Sequence, residues 1–179
     1  SVSPHLLEHL RDRPLTLSRY PGGIYGEHFF QKHWNSQLPE FVKTVRLSER
    51  SKKEQEYLLC NNLPTLLWLG QVANIEFHSW FSSVRPATGG ESHQEPADDT
   101  EDLNSLTDYP DFIVFDLDPY IYSGSESRGD EPQLNREGFA RTGEAALWLK
   151  EILDRLSLES FVKTSGRTGL HIYVPVIRQ

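Results

Sequence analysis

Asp111-Phe112-Ile113-Val114-Phe115-Asp116-Leu117-Asp118-Pro119 is the stretch on which the fold turns. Phe112 to Phe115 form an apolar, β-prone run of the kind that makes a buried strand. Pro119 ends the regular hydrogen bonding. Side chains of an extended segment repeat with period two, so Asp116 and Asp118 point to one side and Leu117 to the other. Two carboxylates held a few ångströms apart repel unless a cation or a proton lies between them. Two readings stay open here: a site for Mg²⁺ or Mn²⁺, and a solvated turn after a strand, since Asp and Pro are ordinary turn residues.

The 179-residue chain is 25% charged and 37% hydrophobic, a composition suited to a folded domain with a proper core. No run approaches 18 apolar residues, which excludes a membrane-spanning helix. The start, Ser1-Val2-Ser3-Pro4-His5, does not resemble a secretory signal. The lone cysteine, Cys60, excludes an intrachain disulfide and a thiolate metal cluster. Its setting, Tyr57-Leu58-Leu59-Cys60, reads as a buried helix face, and a reducing, cytoplasmic environment is expected.

The net charge of −8 hides an uneven distribution. Between Pro86 and Ser127 there are eleven acidic residues and no Lys or Arg, whereas the remainder carries eighteen bases against fifteen acids. The first 53 residues alone hold nine bases and five acids. The chain is thus a mildly basic body with one acidic segment, able to hold phosphates locally. Residues 86–108 are expected to form an acidic surface loop, having hardly a core residue.

Working outward from the centre, residues 4–13 predict a short amphipathic helix and Pro14 to Tyr20 a strand, followed by a Pro21-Gly22-Gly23 turn. Glu27 to Trp34 reads as a short helix and Phe41 to Val45 as a strand. Ser51 with Glu54 has the spacing of a capping box, so 51–60 reads as a helix. Asn62 caps a second helix with Pro64 in its first turn. Asn74 to Trp80 alternates as a strand, with Glu76 and His78 on one face. Residues 121–133 are polar and rich in Gly and Ser, and read as a loop. Apolar residues at three- and four-residue spacing predict a helix over 138–158.

The last 20 residues form a second informative stretch. Ser160 to Ser165 and Leu170 to Val176 read as two strands joined by Gly166-Arg167-Thr168-Gly169. Ile172, Val174 and Val176 lie opposite His171 and Tyr173. The hairpin sets Ser165, backbone N–H groups, Arg167 and His171 close together, which suits a phosphate cradle as well as a plain polar hairpin.

Three motifs in order then resemble the archaeo-eukaryotic primase superfamily, most closely the polymerase domain of bacterial multifunctional ATP-dependent DNA repair ligases of the end-joining type. They are Arg19-Tyr20-Pro21-Gly22-Gly23-Ile24 with Phe29-Phe30-Gln31-Lys32-His33, then Phe115-Asp116-Leu117-Asp118-Pro119, then Thr164-Ser165-Gly166-Arg167-Thr168-Gly169-Leu170-His171. Ile75-Glu76-Phe77-His78-Ser79-Trp80 lies between the first two.

The resemblance implies an α+β fold, a primase-like mixed or antiparallel sheet flanked by helices, in one domain over 1–179. It implies two-metal nucleotidyl transfer from nucleoside triphosphates to a DNA 3′ end in double-strand break repair. Asp116 and Asp118 would be catalytic and would ligate Mn²⁺ or Mg²⁺. Ser165, Arg167 and His171 would hold the phosphates, with His78 and Lys32 against the nucleotide. The basic front would receive the 5′-phosphate of gapped or broken DNA. A ligase domain and an end-binding protein are the implied partners, and a bacterial or archaeal nucleoid the implied setting.

Two departures accompany the likeness. Thr168 stands where family members often carry lysine. The third metal carboxylate of the family comes from a strand after the hairpin, so the chain is expected to be a domain truncated at its C-terminus, with a reduced stand-alone relative or a degenerate member as the alternatives. A non-catalytic module binding DNA ends or nucleotide is the alternative. A metal-dependent phosphodiesterase fits less well, because it needs several further metal ligands.

Overall fold

Leu15 and Leu17 alternate with Thr16 and Ser18, and this short run becomes the strand to which most of the first half of the chain is tied. The computed structural model describes residues 2–48, 54–85, 107–119, 134–166 and 168–177. The chain divides into two compact units, Ser1–Pro110 and Asp111–Ile177.

In the first unit, helix α1 (Ser3–Leu10) leads into strand β1 (Leu15–Arg19), and β2 (Phe29–Gln31), β3 (Lys43–Ser48), β4 (Glu54–Leu59), α2 (Leu63–Gln71) and β5 (Asn74–Ser79) follow. Every strand pairing described is antiparallel. One edge of β1 pairs with β5, as in Thr16↔His78 and Ser18↔Glu76. Its other edge is shared: Leu15 meets Leu58 of β4, and Leu17 to Arg19 meet Gln31 to Phe29 of β2. Strand β3 completes the sheet against β4.

Two apolar clusters hold this unit. Leu10, Leu15, Leu17, Leu58, Cys60 and Leu69 form one, with Trp34 and Phe77 packed against it. Val45, Leu47, Tyr57, Leu59 and Val84 form the other, with Trp80 beside them. Strand β4 therefore buries both of its faces. This corrects the helix expected over 51–60: its described part is a strand, and residues 51–53 lie outside the described residues. The helix expected over 27–34 is also replaced, by the short strand β2, because the edge of β1 offers its backbone groups a ladder. Helix α2 begins as expected. Asn62 Oδ1 accepts from the Thr65 N–H at 2.8 Å, a cap worth about 1 kcal/mol.

The second unit is a three-stranded antiparallel sheet, in the order β6 (Phe112–Leu117), β8 (Leu170–Pro175), β7 (Phe161–Thr164). Helix α3 (Arg136–Arg155) is capped by Asn135, whose Oδ1 accepts from Gly138 N–H at 2.9 Å. Leu153 of α3 is buried with Ile172 and Val174, and Phe115, Leu117 and Leu149 pack against them. The fold class is α+β with antiparallel sheets, as expected. Of the loops expected over 86–108 and 121–133, residues 86–106 and 121–133 lie outside the described residues. Among the described residues no helix is long and apolar enough to cross a membrane.

Cys60 is wholly buried, and burial alone pushes its thiol from 9.0 up to about 11. A thiol kept neutral by burial stabilises the fold fully below pH 9.0, and that contribution is lost as pH rises through about 11. Thiol reagents should leave Cys60 unmodified in the native chain at neutral pH and label it on denaturation. Rapid native labelling would contradict this packing.

Candidate nucleotide and metal site

The β6–β8 register builds the centre of the site. Phe115 pairs with Ile172 and Leu117 with Leu170, and between them Asp116 stands directly opposite His171. Asp116 Oδ1 lies 3.3 Å from His171 Nε2. The Asp116 side chain is 63% exposed and that of His171 25%, so the carboxylate remains accessible. On the far side of His171 its cross-strand partner is Lys163 of β7. Lys163 Nζ lies 5.8 Å from the ring centroid of Tyr173. Burial, and then the charge of Asp116, raise the pKa of the Tyr173 hydroxyl.

One pair beyond the end of the ladder, Asp118 comes to face the turn at Gly169. The Thr168 hydroxyl donates to Asp118 Oδ1 at 3.2 Å. A Cβ on Gly169 would fall on that same oxygen and on the Leu117 carbonyl oxygen, with Asp118 Cα 3.2 Å away. Gly169 is thus required by close approach. The turn is closed by two bonds: Ser165 N–H donates to the Gly169 carbonyl at 2.9 Å, and Gly169 N–H donates to Ser165 Oγ at 3.0 Å. Gly166 takes a φ of 95°, in the left-handed region that favours glycine.

Of the residues singled out in the sequence, Asp116, Asp118, Ser165 and His171 belong to the second unit and gather at one end of β6 and β8 and the adjoining β7–β8 turn. Arg167 lies outside the described residues. Lys32 and His78 belong to the first unit. Lys32 is exposed just after β2, with Nζ 5.8 Å from the Tyr57 ring centroid. His78 projects from β5, with Nε2 3.0 Å from the Ser18 hydroxyl and 3.8 Å from Glu76 Oε2. Its ring packs at 5.1 Å against that of Phe30.

Ser18 and the Thr168–Asp118 bond are contacts that sequence reading did not find. Extending the β6–β8 pairing past Leu117 would have set Asp118 against Gly169. Nothing in the sequence marks Ser18, whose position on a central strand looks like that of any small residue.

The donors suit a divalent ion in type: two carboxylates are hard oxygen ligands of the kind Mg²⁺ and Mn²⁺ take. Among the described residues no group of three or more His, Cys, Asp or Glu forms a ligand cluster.

A family model described as LigD, primase-polymerase domain, matches residues 1–179. The chain belongs to the LigD primase-polymerase family. It is 30% identical over 175 residues to the bifunctional non-homologous end joining protein LigD of Bacillus subtilis, covering 98% of this chain and 22% of that protein. It is 31% identical to the multifunctional LigD of Pseudomonas aeruginosa, covering 97% of this chain and 16% of that protein. The polymerase domain of Mycobacterium tuberculosis Ligase D, solved in complex with DNA, matches with a TM-score of 0.70 and 26% identity, over 99% of this chain and 52% of that one. The chain therefore spans about a fifth of the length of the Bacillus relative. The primase-like fold expected from the three motifs is the fold observed.

The crowding at Gly169 gives a prediction. Gly169→Ala must displace Asp118 or the backbone of Leu117, and should lower stability by about 1–3 kcal/mol. Gly143 in α3 has open space where its Cβ would go. There, Gly143→Ala should raise stability by about 0.5–1 kcal/mol. Denaturant midpoints of the two variants check both signs, and equal effects would refute the crowding.

Proposed function

We propose that this chain is a nucleotidyl-transfer module of end-joining DNA repair, adding nucleotides from nucleoside triphosphates to a DNA 3′ end. The observation that carries the reading is Asp116 directly across the sheet from His171, with Asp118 tethered to the adjoining turn by Thr168. Family membership supports it. So does the DNA complex of the solved Mycobacterium relative.

In this reading Asp116 and Asp118 hold Mn²⁺ or Mg²⁺, which when bound neutralises phosphate charge and polarises the α-phosphate. No covalent nucleophile on the protein is needed, because transfer requires positioning and charge stabilisation. Ser165, whose oxygen accepts from the Gly169 N–H, contacts the phosphates from the turn. His171 donates to the same phosphates, and Arg167 supplies a further positive charge for them. Lys32 and His78 contact the nucleotide, and the basic first 53 residues receive a 5′-phosphate at the DNA end. The two compact units work as one domain, alongside a ligase domain and an end-binding partner, in a bacterial or archaeal cytoplasm at the nucleoid.

The test is primer extension with Mn²⁺ on gapped, 5′-phosphorylated DNA, beside calorimetric Mn²⁺ titration with and without nucleoside triphosphate. Asp116→Ala and Asp118→Asn should bring extension to background and abolish the nucleotide-dependent Mn²⁺ uptake, with unfolding midpoints nearly unchanged. His171→Ala and Ser165→Ala should weaken triphosphate binding, the histidine change by about 1–3 kcal/mol. Equal Mn²⁺ uptake by the wild type and the Asp116→Ala, Asp118→Ala double variant would overturn the metal assignment. Nucleotide and DNA binding without extension would make the chain a non-catalytic end-binding module.

A further inference from the structure

We propose that Ser18 is a positioning residue that holds neutral His78 in the Nδ1–H tautomer and so presents an N–H donor to a nucleotide oxygen. The proposal rests on the reading of His78 as a nucleotide contact. Its physical basis lies wholly within the first unit.

Ser18 is the fourth of the five residues of β1 and is fully buried. Strand pairing sets Ser18 opposite Glu76 and opposite Phe30, and Thr16 opposite His78. Residues two apart on a strand share a face, so Ser18, Glu76, His78 and Phe30 lie on one face of this sheet. Ser18 Oγ is 3.0 Å from His78 Nε2, well inside hydrogen-bond range. Among the described residues the imidazole is the partner of that hydroxyl.

The direction of this bond follows from which unmet group is worse. A buried hydroxyl hydrogen with no acceptor loses its whole bond, whereas an oxygen already donating tolerates idle lone pairs far better. The favourable arrangement has the Ser18 hydroxyl donating to Nε2. The ring proton of the neutral imidazole must then sit on Nδ1.

Glu76 pulls the other way, since its carboxylate would favour hydrogen on Nε2. However, Glu76 Oε2 stands at 3.8 Å, beyond a hydrogen bond, and its side chain is 48% exposed. The Phe30 ring, 5.1 Å from that of His78, restricts reorientation of the imidazole. An Nδ1–H donor suits an oxygen acceptor such as a phosphate or sugar oxygen; the opposite tautomer would present a lone pair to it.

The experiment is ¹⁵N NMR of histidine-labelled full chain at a pH where His78 is neutral, because the two ring-nitrogen shifts report the tautomer directly. His78 is assigned by its absence from the spectrum of His78→Gln. The wild type should show Nδ1–H, Ser18→Thr should retain it, and Ser18→Ala should shift towards Nε2–H. Nucleotide affinity should fall about threefold to tenfold in Ser18→Ala and recover in Ser18→Thr.

An Nε2–H imidazole in the wild type would overturn the proposal, and this spectrum decides even where Ser18→Ala fails to fold. An unchanged tautomer in folded Ser18→Ala would overturn it as well. A tautomer shift with unchanged nucleotide affinity would support the action of Ser18 on the ring and overturn the assignment of His78 to the nucleotide.

Discussion

The register of β6 against β8 is the constraint on which the candidate site depends. Ile172 and Val174 are buried with Leu153, and Phe115 and Leu117 pack on the same side. Burial of a side chain of this size is worth about 1.5–3 kcal/mol. Period two then leaves Asp116 and His171 together on the opposite face. A slip of one residue would turn His171 into the core and expose both Ile172 and Val174. The apolar residues thus hold the polar pair in register without touching it.

The contact between Asp116 and His171 adds little to that stability. With the carboxylate 63% exposed, even a fully charged pair at this position would be worth only about 0–1 kcal/mol. Its consequence lies in availability: an accessible carboxylate beside an imidazole can exchange partners with a ligand at small cost. The turn is better tied, because Ser165 and Gly169 bond each other twice and Gly166 supplies the left-handed backbone. A turn closed by two bonds beside an exchangeable pair suits the transient phosphate contact proposed above.

Long-range pairing decided what could be read from the sequence. The strand at 111–119 and the closing hairpin were legible because alternation, Pro and Gly all pointed the same way. Asn62 was legible as a cap because the bond it makes is local. Strand β4 was misread since Ser51 and Glu54 imitate a capping box, worth about 1 kcal/mol. Burying Tyr57, Leu58 and Leu59 on two faces of a sheet outweighs that several times over. Likewise β2 owes its state to the edge of β1, many residues away in sequence. Within the site, Asp116, Asp118 and His171 were legible as residue types with spacing. Ser18 and the Thr168–Asp118 bond were not, because both are contacts across strands or a turn.

Thr168 shows how such a contact alters the chemistry. The resemblance places lysine at this position in many family members, and a lysine beside Asp118 would offset part of its charge. Thr168 is buried and neutral, and it gives Asp118 Oδ1 one hydroxyl bond at 3.2 Å. A neutral donor steadies the carboxylate without lowering its net charge. Thr168 thus brings no positive charge of its own to the side of Asp118. Phosphate binding, in the proposed reading, would lack the cation that a lysine at 168 supplies. Arg167 can replace that charge only with different geometry, because a guanidinium is a planar fork and an ammonium a compact point. In the proposed reading the turn would favour the metal, and the phosphates would depend more on His171 and Ser165.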